Sequence, residues 1–334
     1  MANFISAPPP TQDLVAPQTS LLTRITTLLT SLHTPLLAHQ SPTLSIASRT
    51  TTLPTAHTLS FLTHPWRFSI YLLLLSYIHQ LLLTNTTATK RDLFYRNPTL
   101  FRRQAVVDKA IDDLACTFGV RRGELHVVAA AKGLVVGGVT LVLTAGRRVE
   151  CQDVATLIPP GVEGVEIRED VKWVLWVEKE AVFHSLAPLV GEDKLLVTGK
   201  GYPDIATREL LVRLAAAGRT VYALVDLDPH GLEIAEVVRR GSRSLSHETG
   251  LAVAGLRWLG IRREDVVGRM EGVVRLTARD REKAKSMLAR PEGNGEMRVC
   301  LQQLLWWGVK AEIEILGDGV WEWVLRRVQE EEAK

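Results

Sequence analysis

The chain has little cysteine and little net charge. Its three cysteines, Cys116, Cys151 and Cys300, stand far apart, with no CxxC pair and no matching histidines. That excludes a disulfide framework and a sequence-legible zinc site, and it suits a reducing compartment. A net charge of +3 over 334 residues does not announce a nucleic-acid binder. Any DNA affinity has to come from local pairs such as Arg102-Arg103, Arg121-Arg122 and Arg147-Arg148, which composition alone reads first as a solvated face. The most apolar run, Ile70 to Leu83, falls short of the roughly 20 residues of a membrane helix and contains Ser76, His79 and Gln80. A buried helix, with no membrane partner, is the expectation. No compact apolar core follows a basic start, so no secretory signal is legible. The N-terminus is rich in Ser and Thr and poor in acids, as transit peptides are, but it is poor in Arg as well.

Hydrophobic residues make up 46% and charged residues 23%, as in a soluble globular protein. Residues 1–60 differ from the rest: Thr, Ser, Pro and Leu dominate and charge is almost absent. Such a segment has few means to build a core and is expected to be a poorly ordered arm, with a helix over the leucine-rich piece Leu21 to Leu37. A helix is expected over Phe68 to Leu83. A second should begin near Pro98 and run on through LFRRQAVVDKAIDDLACTFG, with Val106, Ile111, Leu114 and Phe118 at helical spacing and Gly119 as its stop. The β-like runs LHVVAA and VVGGVTLVLT follow. Helices followed by a small strand pair suggest a winged-helix module over residues 61–165.

Beyond Val171 the pattern alternates. The apolar runs WVLWV, KLLVT and VYALV end at Glu178, at Gly199-Lys200-Gly201 and at Asp226. Helical stretches separate them at Ala181–Leu189, Ile205–Ala217 and Leu232–Arg240. Alternation of this kind implies a parallel sheet with covering helices, whose functional groups collect at the carboxyl ends of the strands. The fold class expected is therefore α/β, α+β overall, with a parallel-sheet domain over residues 166–334.

Acidic residues stand at those strand ends. Asp226 and Asp228 are two apart and, in extended chain, face the same way. Together with Glu178 they offer an oxygen-only donor set, which suits a hard cation such as Mg2+. Taken alone, DLDPHG reads equally well as a helix cap and turn, with Asp228 capping a helix that starts at Pro229. The combination is more specific. WVEKEAVF, LLVTGKGYPDIATRELL and VYALVDLDPHGLEIA resemble the Toprim domain in its topoisomerase VI A branch, and this resemblance implies that Glu178, Asp226 and Asp228 bind Mg2+. Glu180 and Glu233 fall outside the matching positions and are left as surface or cap residues.

Tyr95, in KRDLFYRN, is on its own an ordinary half-buried tyrosine. KRDLFYRN resembles the motif in which the same family places its DNA-attacking tyrosine within a winged-helix domain. On that resemblance Tyr95 is the nucleophile and Arg91 the arginine preceding it. Phe94 stands where relatives also have tyrosine. Lys132, in AAAKGLVVGG, matches a family lysine in the wing and is expected to contact a DNA phosphate; its other reading is a solvated turn lysine. The resemblance assigns His230 no metal role. Trp173, Trp176, Trp306 and Trp307 occupy apolar patterns and are expected in the core.

The resemblance runs from about Trp66 to Leu316 and includes RWLGI and VKAEIEIL. The Thr-rich arm points to the eukaryotic meiotic branch. The family resemblance implies a nuclear, chromosome-associated, Mg2+-dependent transesterase that breaks double-stranded DNA through a 5′-phosphotyrosyl link. It also implies a homodimer on DNA, a topoisomerase VI B-like partner and meiotic accessory proteins. The alternatives are the A subunit of an ATP-dependent type IIB topoisomerase that reseals the break and, more distantly, a non-catalytic DNA-binding architectural protein.

Overall fold

The computed structural model describes residues 4–6, 15–47, 56–128, 131–143, 146–241, 250–268, 272–290 and 295–333. The chain divides into two compact units, one made mainly of residues 10–130 and the other of 131–242 and 250–334, with 1–9 added to the second. Each has its own hydrophobic core.

The first unit is mostly helical. Helix Pro65–Thr84 opens with Pro at its first position and closes at Asn85, whose left-handed backbone (φ 50°) turns the chain out of the helix. The helix is long and apolar enough to cross a membrane by length and composition. Leu74, Leu75 and Ile78 are nonetheless fully buried in the unit's own core, as the sequence led us to expect. The Thr-rich arm is not wholly irregular. Its described part forms helices Val15–Ser31 and His33–Leu37, and Leu21 and Ile25 are buried in the same core. An antiparallel hairpin, Thr43–Ala47 with Ala56–Ser60, follows, with Leu44 opposite Leu59 on its buried face. The arm's residues 1–3, 7–14 and 48–55 lie outside the described residues.

The single helix expected from Pro98 is two: Pro98–Phe101 and Gln104–Phe118. Arg102 between them has φ 62°, which breaks the hydrogen-bond ladder. The buried stripe is Val107, Ile111, Leu114 and Phe118, so Val107 replaces the expected Val106. Gly119 ends the helix in left-handed conformation. Arg122 is not on a solvated face: it is buried, 3.6 Å from the Asp112 carboxylate, which also holds Lys90 at 2.6 Å.

The second unit contains a six-stranded sheet in the order Arg257–Gly260, Thr220–Leu224, Trp173–Val177, Leu195–Thr198, Leu134–Gly137, Thr156–Leu157. The first four strands are mutually parallel, and each of the last two pairs antiparallel with the strand before it. Helices Glu180–Leu186, Ile205–Ala216 and Pro229–Arg240 alternate with the parallel strands, close to the expected ranges. Strands WVLWV and TVYAL are buried along almost their whole length, as a sheet covered on both faces requires.

Among the described residues, the expected strand pair of a wing is absent from the tyrosine-bearing unit. VVGGVTLVLT turns a corner at Gly137-Gly138: Leu134–Gly137 joins the six-stranded sheet, while Val139–Leu143 pairs with Val162–Arg168 in a separate antiparallel sheet. The corner needs both glycines. Gly137 has φ 119°, and a Cβ there would lie 2.1 Å from the Lys194 carbonyl oxygen; one on Gly138 would lie 2.0 Å from that of Glu192. In the first unit the short parallel pair Ala88–Thr89 with Val127–Val128 flanks helix Gln104–Phe118. The chain passes from one compact unit to the other near residue 130, whereas the sequence pattern put the boundary at 165.

Candidate active-site residues

Tyr95 is presented by the short helix Lys90–Arg96. A capping box fixes its start: Thr89 Oγ1 accepts from Asp92 N–H (3.0 Å), and the Asp92 carboxylate accepts from Thr89 N–H (2.8 Å). Leu93 is fully buried and anchors the helix. Tyr95 lies on the other side, 60% exposed. Arg91, one turn earlier, places its guanidinium 5.7 Å from the ring centroid, and Nη2 donates to the phenol oxygen at 3.5 Å. A long bond of this kind in solvent holds the pair only loosely. It leaves the guanidinium able to reach an anion beside the phenol.

The carboxylates belong to the other unit. Glu178 continues the ladder of Trp173–Val177, its N–H donating to Leu224 O at 3.0 Å. Asp226 and Asp228 follow strand Thr220–Leu224, and Asp228 caps helix Pro229–Arg240 through Gly231 N–H (2.7 Å). Glu178 and Asp226 are joined directly, since Asp226 N–H donates to Glu178 Oε2 at 3.1 Å. Burial, with the nearby charge of Asp226, pushes the Glu178 carboxyl up to about 7. Burial also raises Asp226, although Ile313 N–H and Lys179 pull the other way, and it comes to about 6. Gly231 is what allows this packing. A Cβ there would stand 2.6 Å from the Asp226 carbonyl oxygen and 2.9 Å from Glu178 Oε2.

Two lysines meet these acids. Lys179 Nζ lies 3.2 Å from Asp226 Oδ2, and Lys310 Nζ lies 3.7 Å from Asp228 Oδ2 and 3.0 Å from Asp280. Among the described residues no group of three or more His, Cys, Asp or Glu side chains is placed to hold a metal ion, so Glu178, Asp226 and Asp228 are not gathered into a ready-made site. The donor set nevertheless fits a hard cation. It is all oxygen, Glu178 and Asp226 are raised by burial and by neighbouring negative charge, and Mg2+ takes only one or two carboxylates beside water and phosphate.

Lys132 lies in the unit of the carboxylates rather than in that of Tyr95. Its N–H donates to Asp204 Oδ2 (2.8 Å), and Asp204 Oδ1 caps helix Ile205–Ala216 at Thr207. The ammonium reaches the Lys200 carbonyl at 3.4 Å and is half-buried, which lowers its pKa. Gly201 N–H in turn donates to Glu178 O at 2.8 Å, so the GKG turn links Lys132 to the carboxylate strand.

Several neighbours escaped the sequence reading. Glu233 is not a plain surface acid: it accepts from the Tyr202 hydroxyl (2.5 Å) and pairs with Lys283 and with Arg290 (3.1 Å). Lys179 is adjacent to Glu178 in sequence, but Glu312 and Glu314, which hold it, are distant; only their i, i+2 spacing in VKAEIEIL hinted at a shared side. Among the tryptophans, Trp176 is buried, while Trp306 is 88% exposed and does not belong to the core. Trp173 is partly buried against Tyr222 and Trp321, and Trp307 carries Arg263 over its ring.

Comparison with known proteins places both parts of the chain in one family. The family model for the Toprim domain of Spo11 and of the topoisomerase 6 A subunit matches residues 173–326, and that described as "Type IIB DNA topoisomerase" matches residues 66–127. The meiotic recombination protein rec12 of Schizosaccharomyces pombe is 36% identical over 244 residues, which cover 72% of this chain and 70% of that protein. The chain belongs to the family of Spo11 and the topoisomerase 6 A subunit. The meiotic recombination protein SPO11 of Homo sapiens is 39% identical over 237 residues, covering 67% of this chain and 60% of that protein. The chain therefore spans less than two thirds of the human relative. The A subunit of DNA topoisomerase 6 from Arabidopsis thaliana is 38% identical over 206 residues, covering 58% of this chain and 47% of that protein. The Toprim match contains Glu178, Asp226 and Asp228, and the type IIB match contains Arg91 and Tyr95.

Proposed function

We propose that this chain is a DNA-cleaving transesterase that starts meiotic recombination, with Tyr95 as nucleophile. The observation that carries the reading is an exposed tyrosine beneath a guanidinium, on a helix anchored by Leu93, in a member of this family. The Tyr95 phenol oxygen attacks a backbone phosphorus of double-stranded DNA. The bond from phosphorus to the 3′ oxygen breaks, and that oxygen takes up a proton as the 3′-hydroxyl while the phenol loses one. The product is a 5′-phosphotyrosyl ester. Arg91, beside the phenol, stabilises charge developing on the phosphate. Lys132 grips a phosphate of the bound strand.

Glu178, Asp226 and Asp228 would hold Mg2+, which when bound supplies Lewis-acid stabilisation of DNA phosphate charge. The helical unit, with its short strand pair, acts as a winged-helix-type module that lays a helix against DNA. Two chains on DNA share their sites, Tyr95 from one and the carboxylates from the other. A B-like partner protein and a nuclear, chromosome-associated setting complete the proposal; the plant relative's name as an A subunit supports the first and the names of the meiotic relatives the second.

A resealing type IIB topoisomerase component is the second reading, favoured by the plant relative's name. Incubating the chain, together with a B-like partner and ATP, with supercoiled plasmid and Mg2+ and searching for covalent protein–DNA adducts tests the first reading. Persistent adducts are expected, and relaxed closed circles without adducts would support the second. Absence of both products would overturn both readings.

A further inference from the structure

Lys179 is directed at Asp226 by residues far along the chain. Its ammonium lies 3.2 Å from Asp226 Oδ2, 2.8 Å from Glu312 Oε2 and 2.7 Å from Glu314 Oε2. The two glutamates follow 133 and 135 residues later and flank Ile313, whose N–H donates to Asp226 Oδ1 at 2.9 Å. Three consecutive residues therefore hold one oxygen of Asp226 and steer the cation that sits on the other. One carboxylate suffices to neutralise a lysine, and this one has three. Glu312 and Glu314 are the exposed members of the group, while Asp226 is buried.

A divalent cation held by Asp226 would share that carboxylate with the Lys179 ammonium, and two positive charges on one carboxylate would repel strongly in a partly buried site. Lys179 can leave Oδ2 and remain neutralised, because two partners stay with it. We propose that Glu312 and Glu314 form a seat that draws the Lys179 ammonium off Asp226 when a divalent cation binds. Lys179 is then the counter-ion of the metal-free site, and its seat is a positioning device that sets metal affinity. The inference rests on the reading of Glu178, Asp226 and Asp228 as metal ligands.

The test is a calorimetric titration of the full chain with Mn2+ alone. Substituting Glu312→Gln and Glu314→Gln together leaves Lys179 only Asp226, so the Kd for Mn2+ should rise about tenfold. In a Lys179→Met background the same pair of substitutions should change nothing, because the seat has no cation to hold. A mere loss of negative field would weaken binding equally in both backgrounds. Equal effects in both, or no effect of the pair in the otherwise wild-type chain, would overturn the seat. Thermal unfolding of each variant without metal checks that the fold is kept; the glutamates are exposed, so little change is expected. Asp228→Asn separates the two claims. If it abolishes Mn2+ binding while the glutamate pair has no effect, the seat alone fails. If Mn2+ does not bind the wild-type chain, or binds Asp228→Asn equally well, the metal reading fails and takes the seat with it.

Discussion

Gly231 lies against the carboxylate of Glu178, so close that a methyl group would stand 2.9 Å from Oε2. The same methyl would meet the Asp226 carbonyl oxygen at 2.6 Å. The first turn of helix Pro229–Arg240 can approach the acidic strand ends only because this position has no side chain. Gly231→Ala should therefore cost about 1–3 kcal/mol of stability, the usual range for overpacking, and should weaken divalent-metal binding. Gly295→Ala is the control, since a Cβ there meets nothing within 4 Å. Chemical denaturation of both variants measures the difference, and equal stability would remove the steric argument.

The nucleophile is open to a one-atom test. Tyr95→Phe removes a hydroxyl from an exposed side chain whose hydrogen bond to Arg91 is long. Folding and DNA binding should stay within about 0.5 kcal/mol of wild type, while covalent attachment to DNA disappears. Adduct formation by the purified variant would move the nucleophile elsewhere.

Arg91→Lys keeps the positive charge and loses the planar fork that can grip a phosphate with two bonds. Cleavage should fall by about tenfold or more, with a much smaller change in DNA affinity. Cleavage at the wild-type rate, measured by adduct yield against time, would make Arg91 an ordinary surface cation.

The raised acids make metal-free stability depend on pH with a definite sign. Below the ordinary Glu range near 4.5, Glu178 is protonated in both folded and unfolded chains and costs nothing. As pH rises from there towards about 7, the unfolded chain ionises freely and the folded one does not, so stability falls. Asp226, raised to about 6, adds a fall of the same sign. The Glu178 share amounts to at most about 3 kcal/mol, fully developed above neutral pH. Glu178→Gln should flatten this profile, and Mg2+ should restore stability to the wild-type chain but much less to the variant. Thermal unfolding across pH, with and without Mg2+, reads both effects. A wild-type profile no steeper than that of Glu178→Gln would refute the burial of this acid.

Shared sites predict complementation. A Tyr95→Phe chain mixed with an Asp228→Ala chain should rebuild one intact site per heterodimer, while the second site carries both defects. Supercoiled plasmid should then give mainly nicked circles, with each variant inactive alone. If heterodimers form on DNA and no nicks appear, the sites are not shared between chains.

The sequence determined what depends on neighbours along the chain. The strands ending at Glu178 and before Asp226, the cap at Asp228 and the stop at Gly119 were all legible, because periodicity, caps and turn residues act over a few positions. The short helix of Tyr95 carries its own capping box. What only the tertiary structure decided lies between residues that sequence holds far apart. The VVGGV run reads as one strand, and only the carbonyls of Lys194 and Glu192 pressing on Gly137 and Gly138 make it a corner between two sheets. Arg122 reads as a solvated cation until Asp112 is found beside it. The Trp306 side chain fits an apolar pattern, yet its face of helix Gly295–Trp307 is left uncovered. Lys179 shows its role only when Glu312 and Glu314 return to it across more than 130 residues. Burial and ion pairing are set by whichever surfaces the fold brings together, and no local pattern records that choice.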